Sequence, residues 1–229
     1  MLLLIAGVDR AESGTVEING IAIGSGPRTR IKAGLGLVPE EPKRDGVIRH
    51  RPVTSNIGLH VMTQFSRFGI IRRATLRAHS KELMQDVRLR PLDVSKPIGS
   101  FSGGNQQKAI IGRRLAADTK IYLFDEPTRG IDGGAKAEIY DLIEKLARQG
   151  KSIVLLSSEL PEVIWVSDRS LLMRAGRTAA ELGPTEITEA NIARHAIPRI
   201  LRLSTCPQLR PLSRSCSASN SAMRAPCWA

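Results

Sequence analysis

Cysteine is absent from residues 1–205 of this 229-residue chain, and its three cysteines all stand at or beyond Cys206. A disulfide framework or a cysteine zinc site is therefore excluded for the body of the protein. The four histidines are scattered without the spacing of metal ligands. No apolar run approaches the roughly 18 to 20 residues that cross a bilayer. Aromatic residues make up only 3% of the chain, too few for the stacking platforms of a nucleic-acid binder.

The net charge of +12 is spread unevenly along the chain. Residues 43–90 hold eleven Lys or Arg against three Asp or Glu, and residues 190–229 hold six Arg and no acid. The first basic block indicates an anionic partner. Beyond Pro198 the chain is rich in Arg, Ser and Cys without periodicity, which is typical of disorder. We expect a domain over 1–197 and a disordered tail over 198–229.

Three unbroken apolar runs predict buried strands at 34–40, 120–125 and 152–158. Strands without alternation are typical of a parallel sheet that is covered on both faces. Helical patterns separate these runs, so the chain is predicted to form an α/β domain with a mainly parallel sheet. In such sheets, ligands gather at the carboxyl ends of the strands.

Apolar residues at helical spacing predict helices over 73–88 and 134–149. Thr188 can cap a last short helix. An Asn-Gly pair between two alternating runs predicts a hairpin over 14–23, because Asn and Gly tolerate the positive φ of a tight turn. Residues 168–177 are predicted to form a strand and a turn.

Two carboxylates follow the apolar run in IYLFDEPTRGID (121–132). Asp125 ends the predicted strand, Glu126 comes next, and Pro127 stops the continuation. In phosphoryl-transfer sites one carboxylate holds Mg²⁺, and a neighbouring acid can polarise the attacking water. Adjacent residues at a strand end point to opposite sides, so the two acids can take different roles. The alternative is a loop acid pair without function, which the preceding strand disfavours.

The stretch FSGGNQQK (101–108) predicts the start of a helix that faces an anion. Ser102 can cap this helix, and Gly103 and Gly104 allow a ligand to approach the backbone closely. Free N–H groups at a helix N-terminus favour phosphate oxygens. Taken alone, the stretch is better explained as an ordinary Ser/Gly helix cap, but the acid pair one helix and one strand later favours a phosphate site.

Together, SGGNQQK and LFDEPTRGID resemble the signature motif and the Walker B motif with its D-loop in the nucleotide-binding domains of ABC transporters. DEPTRGIDGGAKAEIY and SSELPEVI look like the C-terminal ATPase half of monosaccharide importers of the ribose, galactose and xylose type. GLVPEEPKRDGV is similar to their Q-loop region. The resemblance covers about residues 1–197 and implies a P-loop NTPase-like α/β fold with a helical subdomain at about 50–118.

The resemblance also implies roles for individual residues. Asp125 would be the Walker B acid near Mg²⁺, and Glu126 would be the catalytic carboxylate. Ser158 stands where other ABC domains have a switch histidine. The lack of that histidine is common in this type of C-terminal half, but it leaves the set of residues for ATP hydrolysis incomplete. The nucleotide contacts implied by the signature, D-loop, Q-loop and switch positions are Ser102, Gly103, Gly104, Gln106, Asp132, Glu40 and Ser158.

The chain contains no Walker A motif, G-x-x-x-x-G-K-[ST], the loop whose N–H groups hold phosphates. Its Gly150-Lys151-Ser152 has Lys145 in place of the first glycine and lies between a helix and a strand, in the wrong order for a phosphate-binding loop. The opening MLLLIAGVDR resembles the sequence just after Walker A. We therefore expect a truncated domain that lacks the first strand and the P-loop. The missing residues would be explained by a fragmentary gene or by a translation start upstream of Met1. The tail would be the product of out-of-frame translation.

The resemblance implies the ATP-binding component of a monosaccharide importer, which couples the binding and hydrolysis of ATP with Mg²⁺ to sugar uptake. Implied partners are a second nucleotide-binding domain, transmembrane permease subunits and, indirectly, a periplasmic sugar-binding protein, with no nucleic acid. The implied location is cytoplasmic, peripheral on the inner face of the plasma membrane. Two alternatives stay open: a non-catalytic truncated remnant, and a DNA-associated ATPase of the same superfamily. Whether this chain alone is an enzyme also stays open.

Overall fold

The structure, a computed structural model, describes residues 1–41 and 46–196. The predicted tail at 198–229 and part of the predicted Q-loop stretch lie outside those residues. Met1–Ala196 form one compact unit. The finer division, with a helical subdomain at about 50–118, stays a prediction.

Short strands alternate with helices along the described residues. The helices are α1 (Leu2–Ile5), α2 (Pro27–Lys32), α3 (Val53–Ile57), α4 (Arg73–Asp86), α5 (Gly103–Ala116), α6 (Gly133–Arg148), α7 (Leu160–Val166) and α8 (Glu189–Ala196). The strands are β1 (Glu17–Ile18), β2 (Ile21–Ala22), β3 (Leu35–Val38), β4 (Ser66–Arg67), β5 (Ile70–Ile71), β6 (Ile121–Asp125), β7 (Ser152–Leu156), β8 (Ser170–Arg174) and β9 (Arg177–Leu182). The helices predicted at 73–88 and 134–149 are confirmed as α4 and α6.

The predicted parallel sheet is confirmed, and it has three strands in the order β3-β6-β7. Leu37 pairs with Leu123, and Leu123 pairs with Val154, so the strands run in step and their carboxyl ends meet at one edge. The prediction that the strand at 152–158 is buried is wrong, because Val154 and Leu156 are each 37% exposed. Alternate side chains of a strand point to opposite faces of the sheet. Ile153 and Leu155 pack against the main core, whereas Val154 and Leu156 lie on the opposite face, which is less covered.

The two faces of the sheet are covered unequally. On one face, Tyr122 and Phe124 pack into the main core, whose other members come largely from α3, α4, α5 and α6. On the other face, Leu35 and Leu123 belong to a small cluster with Leu2 of α1. Burial of apolar surface contributes about 25 cal/mol per Å², so the first face provides most of the stabilisation of the sheet.

Antiparallel hairpins accompany the sheet. The hairpin predicted over 14–23 is confirmed as β1–β2, and its turn residues Asn19 and Gly20 have φ of 52° and 75°. The β4–β5 hairpin was not predicted, and it turns at Phe68 and Gly69 with the similar φ values of 53° and 79°. The strand and turn predicted at 168–177 are extended by a second strand into the β8–β9 hairpin.

Two predicted helix ends are confirmed. Gly150 follows the last residue of α6 by two positions and has a φ of 79°, the left-handed conformation that favours glycine after a helix. Thr188 precedes α8, and its Oγ1 accepts a hydrogen bond of 3.3 Å from the N–H of Asn191. Within residues 1–41 and 46–196, we find no helix with the length and apolar character needed to cross a membrane.

A buried polar side chain joins α3 to α5. Asn56 is fully buried, and its Oδ1 accepts from the N–H of Ile48 at 2.8 Å while its Nδ2 donates to the C=O of Ile48 at 3.1 Å. Arg113 of α5 donates through Nε to the C=O of Asn56 at 2.7 Å. Burial, followed by the charge of Arg114, lowers the pKa of Arg113 to about 10. The sequence carried no signal for this connection.

Replacing Asn56 with Ala should leave the backbone N–H and C=O of Ile48 without their side-chain partner. We expect Asn56→Ala to lower the free energy of unfolding by about 2–4 kcal/mol, measured by urea denaturation. Asn191→Ala is the matched control, because Asn191 donates to the C=O of Glu186 at an exposed position; it should cost less than about 1 kcal/mol. Equal losses for the two variants would contradict the importance of Asn56.

Candidate functional site

Three carboxylates gather at the carboxyl ends of β3 and β6. Asp125 is the last residue of β6, Glu126 follows it, and Glu40 stands two residues after the end of β3. Burial, followed by the charges of Glu40 and Glu126, raises the pKa of Asp125. Glu40 and Glu126 are therefore close enough to Asp125 to disfavour its charged form, and a cation at this edge would favour that form. This confirms that the parallel sheet brings strand ends from distant parts of the chain together.

Glu126 occupies an unusual backbone conformation. Its φ of 45° is in the left-handed region, where residues other than glycine are uncommon. The N–H of Glu126 donates to the C=O of Leu156 in β7 at 2.9 Å, and its own C=O accepts from the N–H of Arg129 at 3.2 Å. Such strain is found more often at functional sites than elsewhere. These bonds hold the backbone of Glu126 in this conformation.

Arg129 links this turn to the first strand of the site. Its Nη1 donates to Oε1 of Glu40 in a close ion pair. The side chains of Arg129 and Glu40 are 64% and 36% exposed, so the pair is screened by water and its main effect is to set positions. Sequence reasoning did not find Arg129, because the partner lies 89 residues away in the chain.

The start of α5 lies at the other side of this turn. Ser102 caps the helix as predicted, and its Oγ accepts from the N–H of Asn105 at 3.4 Å. A Cβ built on Gly103 would meet nothing within 4 Å, so its backbone is open to a ligand. A Cβ on Gly104 would lie 2.9 Å from Cβ of Ala135 in α6. Close packing against α6 therefore requires glycine at position 104, and its contact with a nucleotide stays a prediction.

The polar side chains that follow the two glycines are buried. Gln106 is 1% exposed, and its Nε2 donates to the C=O of Phe101 at 2.7 Å, so in this conformation its side chain does not reach the surface of the site. Lys108 is also buried, pairs closely with Glu138 of α6, and donates to the C=O of Arg88 at 3.2 Å. These contacts attach α5 to its surroundings and leave Ser102 and Gly103 as the accessible part.

The remaining predicted site residues are Asp132, at the start of α6, and Ser158, after the end of β7. Asp132 is exposed and caps α6, where its Oδ1 accepts from the N–H of Ala135 at 3.0 Å. Ser158 is exposed two residues beyond the end of β7. A cleft of about 200 Å³ lies between the start of α5 and the turn after β6, and its lining includes Glu40, Gly103, Arg129 and Ile131. Ligand pockets usually measure about 300–1,000 Å³, so the cleft alone does not enclose a nucleotide.

A buried carboxylate connects the turn after β6 to the end of β7. Glu162 of α7 is 1% exposed, and its Oε1 accepts a hydrogen bond of 3.2 Å from Oγ1 of Thr128. Ser157 donates to the other oxygen of the same carboxylate. Glu162 therefore connects the turn that follows Glu126 with the loop that follows β7. Sequence analysis missed Glu162, since an acid on a short helix gives no sign that it points inward.

No group of three or more His, Cys, Asp or Glu with the arrangement of a metal site occurs in the part of the chain that the structure describes. Mg²⁺ does not require such a group, since proteins usually hold it through one or two carboxylates together with water and substrate phosphates. Asp125, half-buried beside two other carboxylates, fits that pattern.

Glu162 should make stability depend on pH. Burial is the largest cause that raises its pKa above the ordinary value of 4.5, while the bonds from Ser157 and Thr128 act in the opposite direction. The folded state then holds the proton more tightly than the unfolded state, so this contribution to stability is complete below pH 4.5 and is lost as the pH rises through the raised pKa.

We expect wild-type protein to lose thermal stability relative to Glu162→Gln as the pH rises from about 4 to about 7, measured as the difference between the two unfolding midpoints. Glu189→Gln, the same substitution at an exposed position, is the matched control for effects of the substitution itself. A difference between wild type and Glu162→Gln that stays constant with pH would contradict the argument.

Comparison with known proteins places this chain in a family. The sequence profile of the ABC transporter family matches residues 1–129. The chain is 42% identical over 200 residues to an arabinose import ATP-binding protein, AraG, of Rhizobium etli, covering 86% of this chain and 40% of that protein. It is 40% identical over 196 residues to a ribose import ATP-binding protein, RbsA 2, of Mesorhizobium japonicum, covering 85% of this chain and 39% of that protein.

The fold is also that of known ABC proteins. The solved structure of cbiO1 from Clostridium perfringens, part of the ABC transporter complex cbiONQ, superposes with a TM-score of 0.67 at 20% identity, covering 84% of this chain and 75% of that chain. This likeness confirms the predicted P-loop NTPase-like α/β fold. The chain spans about 40% of the length of the curated relatives it matches. Because the family profile covers more than half of its residues, the chain belongs to the ABC transporter family.

Proposed function

We propose that this chain is part of the ATP-binding component of an ABC-type monosaccharide importer. The observation that carries the proposal is the edge of the parallel sheet, where Asp125 and a strained Glu126 stand beside Glu40. The names of the relatives, arabinose and ribose import ATP-binding proteins, support a sugar as the cargo. Binding and hydrolysis of ATP would then drive sugar uptake.

Asp125 would hold Mg²⁺, and Glu126 would orient and polarise the attacking water. The effect of the Glu40 and Glu126 charges on Asp125 supports this assignment, because a divalent cation compensates it. When bound, Mg²⁺ neutralises developing charge on the phosphate oxygens. Glu40 and Ser158 would contact the nucleotide from the ends of the two flanking strands.

The signature stretch would act on a second nucleotide-binding domain. Ser102, Gly103 and Asp132 are accessible at the starts of α5 and α6, where unpaired N–H groups favour phosphate oxygens. The cleft beside them is too small to enclose ATP. ATP held by the phosphate-binding loop of the second domain would complete the site, with Gly104 and Gln106 fixing α5 from inside.

Further partners would be transmembrane permease subunits and, through them, a periplasmic sugar-binding protein. The chain would then sit in the cytoplasm on the inner face of the plasma membrane. A non-catalytic remnant is the second candidate, because the sequence contains no G-x-x-x-x-G-K-[ST] to hold the chain's own phosphates. In both candidate functions, the signature residues at the start of α5 would contact ATP bound to a second nucleotide-binding domain.

The chain by itself should bind ATP weakly. Without a Walker A loop, few backbone N–H groups are available for the β- and γ-phosphates. We expect isothermal titration with Mg-ATP to give no saturable heat at micromolar nucleotide concentrations. Saturable micromolar binding would show that another part of the chain holds the phosphates and would overturn this assignment.

The signature contact can be tested with two variants that preserve the helix cap. Asp and Asn both cap helices well, but Ser102→Asp adds a negative charge where a γ-phosphate would lie. We expect Ser102→Asp to lower ATP turnover about tenfold or more relative to Ser102→Asn. The measurement uses the chain coexpressed with its permease subunits and a nucleotide-binding domain that carries the phosphate-binding loop. Equal turnover of the two variants would exclude a phosphate at Ser102.

A further inference from the structure

A second feature lies away from the carboxylate site, on the β4–β5 hairpin and the first turn of α4. We call residues 66–77 the arginine hairpin. Its base is held in place, because the N–H of Arg72 donates to the C=O of Phe65 at 2.8 Å and the Phe65 ring packs against His79 of α4 with centroids 5.2 Å apart. The projecting tip therefore has a defined orientation.

The tip of the arginine hairpin is apolar and exposed. Phe68 is 92% exposed and Ile70 is 75% exposed, and Ile71 beside them is 37% exposed. Burying such side chains in an apolar environment is favourable, yet no described part of the chain covers Phe68 or Ile70. Scattered exposed apolar residues are ordinary, but here they are adjacent at one projecting turn.

The conformation of Phe68 makes this placement more unusual. The equivalent position in the β1–β2 hairpin is Asn19, with a φ of 52°, and Phe68 has nearly the same φ of 53°. Asn tolerates this left-handed conformation, whereas a bulky aromatic residue there is an outlier. An Asn would thus serve the turn better than Phe, and the turn alone does not explain why Phe68 is present.

The arginine hairpin contains four arginines. Arg67, Arg72, Arg73 and Arg77 are all exposed, and residues 66–81 contain no acid. None of the four forms an ion pair with a described residue; Arg67 instead lies over the Phe68 ring at 5.5 Å. The four positive charges are therefore available to an external anionic partner.

We infer that the arginine hairpin binds the surface of an anionic lipid bilayer. Guanidinium groups would contact the lipid phosphates, and Phe68 and Ile70 would enter the boundary between headgroups and acyl chains. Nucleic acid fits the tip less well, because its bases stack on aromatic rings and two of the three apolar side chains at the tip are aliphatic. This contact goes beyond the proposed function, since it needs neither ATP nor sugar.

Vesicle flotation of the full chain tests the inference without reference to ATPase activity. The vesicles are phosphatidylcholine alone, or phosphatidylcholine with about 30 mol% phosphatidylglycerol. We expect flotation only with the anionic vesicles, and its loss in about 0.5 M salt. Flotation with both kinds of vesicle, or with neither, would overturn the inference.

Matched variants separate the arginine hairpin from other exposed surfaces. Ile70→Thr has its counterpart in Ile21→Thr, because Ile21 is 67% exposed at the same position of the β1–β2 hairpin. Arg72→Gln/Arg73→Gln has its counterpart in Arg28→Gln/Lys32→Gln on α2, which removes the same charge. We expect the hairpin variants to lower the floated fraction at least about fivefold and the counterparts to leave it unchanged. Equal losses in both sets would overturn the inference.

Phe68→Asn distinguishes lipid contact from a structural role. Asn suits the left-handed turn, so the unfolding temperature should stay the same or rise, while the floated fraction falls. Flotation equal to that of wild type would contradict the role of Phe68. Displacement of the chain from anionic vesicles by an equal charge concentration of a duplex oligonucleotide, with tighter binding to the duplex, would overturn the inference in favour of nucleic acid.

Discussion

The parallel register of β3, β6 and β7 is the constraint on which the candidate site depends. Parallel strands that run in step deliver their carboxyl ends to one edge, so Glu40, Asp125 and Ser158 are brought to one side of the molecule although they are distant in sequence. The backbone bond from Glu126 to Leu156 then fixes the turn after the central strand against its neighbour. Without that register, the carboxylates of Glu40, Asp125 and Glu126 would not lie at one edge of the sheet.

The second determinant is the attachment of α5. Lys108 pairs with Glu138, Arg113 holds the backbone of Asn56, and Gly104 lets α5 approach α6 closely. The contacts of Lys108 and Arg113 bury a charged group with a partner, which makes the position of the helix costly to change. The start of α5 is therefore presented rigidly, as a surface that contributes to a phosphate site needs to be.

Long periodic patterns predicted their elements correctly because burial alone decides them. The apolar stripe of α6 and the unbroken run of β6 each contain enough residues to determine element and orientation. The β4–β5 hairpin escaped prediction because each strand has two residues and the turn contains Phe68, not the usual Asn. Leu156 was predicted to be buried because an apolar run does not reveal whether both faces of a strand are covered.

The sequence by itself determined the family, through the resemblance of its motifs. Local composition and spacing determined the three strands of the parallel sheet, the long helices, and the positions of Asp125, Glu126 and Ser102. Only the tertiary structure decided that Gly104 serves helix packing and that Glu162 ties together the loops around Glu126. The physical reason is that burial and hydrogen-bond partners are properties of residues distant in sequence, and no local pattern encodes which of them will meet.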